Sequence, residues 1–102
     1  MIPPRERLLQ LARLAGVQAF RERFGPPQAA QPGAAELRAF VAARLDEIAR
    51  RLVEEAAASD DVVDRASAAA YLEDRLATLG DLLSKEQAAR VRRAFADRTS
   101  AW

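Results

Sequence analysis

Residues 34–58 read AAELRAFVAARLDEIARRLVEEAAA, twenty-five residues without a glycine or a proline. Leu37, Val41, Leu45, Ile48 and Leu52 step by 4, 4, 3 and 4, the spacing of one face of an α-helix. Phe40, Val53 and Ala56 widen that stripe. Gly33 is an acceptable N-cap, and Glu36 falls in the first turn, where the helix dipole favours a carboxylate. On the outer face Asp46 precedes Arg50, and Glu47 precedes Arg51, by four residues. Each such pair supports a helix by about 0.2–0.5 kcal/mol. The stretch predicts one helix of about 37 Å, at 1.5 Å per residue.

Upstream, residues 25–34 hold three prolines and two glycines and read as a loop. Before it, residues 5–24 carry Leu8, Leu11, Ala12 and Ala15 at helical spacing, with Val17, Phe20 and Phe24 on a neighbouring stripe. Pro3 and Pro4 suit the start of this helix. Gly16 costs about 1 kcal/mol relative to alanine inside a helix, so it marks either a close crossing or a break. Downstream, Ser59, Asp60 and Asp61 form a capping cluster that predicts a helix over 60–79. Val62, Ala66, Ala69, Leu72, Leu76, Leu79 and Leu83 form its stripe, and Gly80 reads as the residue just past its end. Ser84 and Gln87 form a capping box that opens a last helix over 85–97, with Ala88, Val91 and Phe95 inward. Thr99 to Trp102 reads as a frayed tail, with Trp102 either free or latched onto another helix or chain.

The 102 residues form one domain, 1–102. The 24 alanines and 12 leucines, against six aromatics, are a helix-former's composition. The fold class expected is all-α: a small antiparallel bundle of three long helices plus a short C-terminal helix. A chain of this size builds only a modest core. Long apolar stripes on the second and third helices therefore predict association as a homodimer.

The composition also excludes chemistry. There is no cysteine and no histidine, which removes disulfides, Cys/His zinc sites, thiol nucleophiles and histidine-based triads. The four serines and two threonines thus lack a thiol or imidazole to activate them. No glycine-rich phosphate loop is present, and the carboxylates fit neither a di-iron bundle nor a calcium loop. The expectation is no enzyme, no catalytic residue, no cofactor, no metal and no small-molecule substrate. Met1 to Arg7 lacks the pattern of a secretory leader, and no apolar run approaches the ~20 residues of a membrane span. The reading is cytoplasmic, with the reservation that a mature secreted domain has lost its leader. The absence of asparagine and the 15 arginines among 16 basic residues fit a high-GC, bacterial-type codon usage better than thermal adaptation.

Charge is unevenly placed although the net is +1. Residues 1–25 carry +3, residues 26–52 carry +1, residues 53–86 carry −6 and residues 87–102 carry +3. Arg90, Arg92, Arg93 and Arg98, joined by Arg5, Arg7 and Arg13, are a candidate patch for an anionic partner. The same arginines can instead pair with the acidic middle. The candidate protein interface is Ala66, Ala69, Leu72, Leu76 and Leu79, where small residues permit close approach and leucines supply burial at about 25 cal/mol per Å².

Two short resemblances accompany this reading. Leu82 to Gln87, followed by Phe95 and Arg98, resembles the LTxxQ-type segment of the periplasmic Spy/CpxP-like helical proteins over about twenty residues, with Ser84 where that family has threonine. That resemblance implies a small dimeric, chaperone-like or stress-related protein. Leu14 to Val17 is similar to the end of the first helix of the histone fold, and residues 34–58 match its long second helix in length. That resemblance implies DNA as the partner, through phosphate contacts. The leading expectation is a non-enzymatic helical protein–protein interaction module, self-associating or an accessory subunit of a larger complex. The alternative is a nucleic-acid-binding helical protein using its arginine-rich ends, and the third is a chaperone-like protein.

Overall fold

The computed structural model describes residues 5–102; Pro3 and Pro4, read as the start of the first helix, lie outside them. Among the described residues there are six α-helices, one 3-10 turn and no strand. The helices are α1 (Arg5–Ala15), α2 (Val17–Phe24), α3 (Ala34–Ala42), α4 (Leu45–Ala58), α5 (Arg65–Leu79) and α6 (Lys85–Arg98), with the 3-10 turn at Gly80–Leu82.

The all-helical class holds, but two of the expected long helices are divided. The first breaks at Gly16, whose φ of 109° lies where glycine is favoured. The second breaks at 43–44, although neither residue is a helix breaker. There the Arg44 amide bonds back only three residues, to the Val41 carbonyl at 3.0 Å, and Arg44 leaves helical geometry at φ −129° and ψ 25°. The two breaks touch: the Arg44 Nε donates to the carbonyl of Ala15, the last residue of α1. Bending at both places lets each half of a long apolar stripe find its own partner. On one side, Phe20, Phe24 and Phe40 meet with ring centroids 5.0–5.8 Å apart and tie α2 to α3. On the other, Leu45, Ile48, Ala49 and Leu52 of α4 are buried, and α4 packs chiefly against α6 and α1.

The third helix begins later than expected. Ser59 ends α4, and residues 60–63 form a short connection. Asp64 is the true cap: it accepts from the Ser67 amide at 2.9 Å, while Ser67 Oγ accepts from the Asp64 amide at 3.0 Å. The capping cluster at 59–61 loses because its side chains make no such reciprocal pair. At the other end Ser84 and Gln87 form the expected box, with Gln87 N to Ser84 Oγ at 3.1 Å and Ser84 N to Gln87 Oε1 at 2.9 Å. The tail read as frayed is instead held in a turn that continues α6, with the Trp102 amide bonded to the Thr99 carbonyl at 3.1 Å. Thr99 is buried and its hydroxyl donates to the Phe95 carbonyl at 2.9 Å.

The arginine-rich first helix staples the fold. Arg5 Nη1 donates to the carbonyls of Pro27 and Ala30, at 2.7 and 2.9 Å, and so holds the loop. Arg7 Nη2 donates to the carbonyl of Leu79, at the end of α5, at 2.6 Å. Backbone carbonyls at helix ends lack intrahelical donors, and a guanidinium both satisfies them and complements the negative end of the dipole.

Candidate functional site

The helices α5 and α6 run antiparallel. Arg65 approaches the Ser100 carbonyl at one end, Glu73 meets Arg92 midway, and a short turn joins the helices at the other. Helix α6 packs chiefly on α4 and only lightly on α5. Between α5 and α6 lies an open groove in two parts. The first, of about 420 Å³, is lined among others by Leu76, Ala77, Leu83, Lys85 and Ala88. The second, of about 340 Å³, is lined among others by Arg65, Ala69, Leu72, Phe95 and Ala96. Glu73 and Arg92 line both and separate them.

That divider is a two-pronged ion pair, with Arg92 Nε to Glu73 Oε2 at 2.8 Å and Arg92 Nη2 to Glu73 Oε1 at 3.0 Å. Bidentate geometry of this kind fixes both side chains. The hydrogen bond to Arg92 holds the Glu73 carboxyl below its ordinary range. The floor of the groove is apolar: Leu72, Leu76, Leu83 and Phe95 are all buried. The alanines on its walls keep it open.

The candidate interface residues divide on this geometry. Leu72, Leu76 and Leu79 belong to the chain's own core, while Ala66 and Ala69 are exposed. The stripe read as one interface is therefore two faces. Its leucines are covered by α1, α4 and α6, and the alanines one step round the helix stay open. The buried alanine of that region is Ala68, which the stripe omitted.

The candidate anionic-partner patch is also divided. Arg90 pairs with Asp46 at 3.3 Å and Arg92 with Glu73. Arg93 and Arg98 make no ion pair among the described residues. Arg7 pairs with Asp81 at 2.9 Å and Arg13 with Glu55 at 2.8 Å. The basic ends thus meet the acidic middle inside one chain. Glu55 also accepts from the Tyr71 hydroxyl at 3.2 Å, so it joins α1, α4 and α5.

A second surface lies at the α5 N-terminal end. Val63 is 82% exposed, and Trp102 is 40% exposed. Together with Ala57, Val62 and Asp64 they line a hollow of about 360 Å³. The acidic residues Asp60, Asp61 and Asp64 flank the valines. Val62, read as part of the α5 stripe, is partly buried against the core, whereas neither Val63 nor Trp102 had a spacing that marked it as exposed.

No family model, no curated protein and no solved structure matches this chain. The single long helix over residues 34–58, on which the histone resemblance drew, is divided at 43–44. Among the described residues no helix is long and apolar enough to cross a membrane.

Proposed function

We propose that this chain is a non-enzymatic helical interaction module whose binding site is the α5–α6 groove. One observation carries the reading: the groove has an apolar floor of buried leucine and phenylalanine but alanines on its walls, and no element among the described residues covers it. Amphipathic helices dock into grooves of this type through apolar anchors a few turns apart. The Glu73–Arg92 divider then separates two anchor sites and gives the partner a polar registration point. The nucleic-acid alternative is the less favoured, because Arg5, Arg7, Arg13, Arg90 and Arg92 each contact a carboxylate or carbonyl of the same chain.

The test is site-specific photo-crosslinking in the cells that express the protein. A crosslinking residue placed at Ala77 or Ala96 lies in the groove; one placed at Ala35 or Ala42, exposed on α3, serves as control. Defined protein adducts from the groove positions alone are expected. No adduct from any position, or the same adducts from groove and control, overturns the reading.

A further inference from the structure

We infer that the occupant of this groove is a second copy of the chain, paired about a twofold axis with the two α5 helices antiparallel. This rests on reading the α5–α6 groove as an interaction site. The complementary part is present on the same molecule. Val63 projects from the connection before α5, nearly free of the chain's own atoms at 82% exposure. Asp60, Asp61 and Asp64 flank it, so it is an apolar knob in an acidic collar. At the far end of α5 lies the 420 Å³ hollow floored by Leu76 and Leu83, with the Glu73–Arg92 pair on its inner side and Lys85 on its rim. It is a socket with an apolar floor whose one basic group outside an ion pair among the described residues is Lys85.

Knob and socket sit at opposite ends of the same helix, so neither can reach the other within one chain. An antiparallel pairing of two copies brings each knob to the partner socket, with the axis crossing α5 near Leu72. The contact is isologous and closes as a dimer. Asp60 and Asp61 of one copy then face Lys85 of the other, and such charge complementarity fixes register and orientation. At the axis each Glu73 brings its own Arg92, so two neutral pairs meet there and not two bare carboxylates. The exposed alanines Ala66, Ala69 and Ala77 permit close approach on either side of the Glu73–Arg92 pair.

The experiment is sedimentation equilibrium on the full chain and four variants, each checked for helicity and melting temperature: Val63→Asp, Asp61→Lys, Lys85→Glu and the double variant Asp61→Lys with Lys85→Glu. None of these side chains makes a hydrogen bond or ion pair within the described residues, so the folded monomer is expected to be retained. The wild-type chain is expected at twice its 11.2 kDa mass. Val63→Asp and each single charge reversal should shift it toward one chain mass, with at least tenfold weaker association. The double reversal should restore the dimer. A wild-type monomer at millimolar concentration, an open-ended series of masses, a Val63→Asp dimer of unchanged strength, or a double reversal that fails to recover association overturns the inference. Groove-specific crosslinks to a different protein, with a monomeric chain, would sink the twofold dimer and leave the interaction module standing; no groove crosslinks at all would sink both.

Discussion

The Arg44 guanidinium donates to the Ala15 carbonyl, and so joins the break between α1 and α2 to the break between α3 and α4. The same guanidinium lies against Gly16: a Cβ there would stand 3.0 Å from Arg44 Nη2. Hydrogen bonds to charged groups contribute about 1.5–3 kcal/mol, and the half-buried position of Arg44 places Arg44→Ala near the lower end of that range. Denaturant unfolding followed by circular dichroism measures it. Gly16→Ala meets both a positive φ and the guanidinium, and should cost on the order of 1–3 kcal/mol. In the Gly16→Ala, Arg44→Ala double variant the two costs should fall short of their sum, since removing the guanidinium relieves the contact. Full additivity would mean the two breaks are independent.

Leu76 tests the fold and not the surface. It is 7% exposed and forms part of the core. Large-to-small changes at such sites cost about 2–5 kcal/mol, and Leu76→Glu adds a buried carboxylate. The expected outcome is loss of cooperative melting. A Leu76→Glu chain that keeps its melting temperature would show that α5 is not anchored by this residue.

The aromatic trio is the sole tie of its kind between α2 and α3 among the described residues. Phe20 is fully buried and touches both Phe24 and Phe40. Phe20→Ala should cost about 3–5 kcal/mol. Because the trio lies away from the α5–α6 groove, amide hydrogen exchange should rise first in α2 and α3. Uniform loss of protection across all helices would contradict that localisation.

Glu47 gives the chain an acid sensitivity. Its bidentate hydrogen bonds to Arg50, at 2.8 and 2.7 Å, lower its carboxyl from 4.5 to about 2, with Arg51 adding to the effect. A carboxyl with a depressed folded value binds its proton more readily in the unfolded chain. Its contribution is therefore present above pH 4.5 and is lost as the pH falls from there toward about 2. Glu73, Asp64 and Asp81 are shifted in the same direction. Thermal melts from pH 6 to pH 2 should show the Glu47→Gln chain losing less stability than the wild type across that window. Parallel curves would assign the acid sensitivity elsewhere.

The Glu73–Arg92 pair is half-exposed, with side chains 54% and 48% accessible. Pairs of that kind contribute at most about 1 kcal/mol. Arg92→Ala should barely move the melting temperature while merging the two halves of the groove. A large stability loss would mean the pair holds α5 and α6 together.

The sequence by itself determined that the protein is helical, where its loop lies, and which faces are apolar, because helix periodicity and caps are local properties. Ser84 and Gln87 show this: a capping box depends on residues three apart, and it formed as read. Val91, Phe95, Ile48 and Leu52 likewise went inward, since a 3.6-residue period fixes which side chains share a face. Only the tertiary structure decided where the long helices bend. Nothing local at Ala43 and Arg44 opposes a helix; at the break Arg44 instead meets a carbonyl twenty-nine residues away in the chain. The same holds for the α5 stripe. Periodicity gave Leu72, Leu76 and Leu79 a common face, but the neighbours that bury them, and the packing of α6 on α4 that leaves the groove open, arise from how α1, α4 and α6 compete for the same apolar surface.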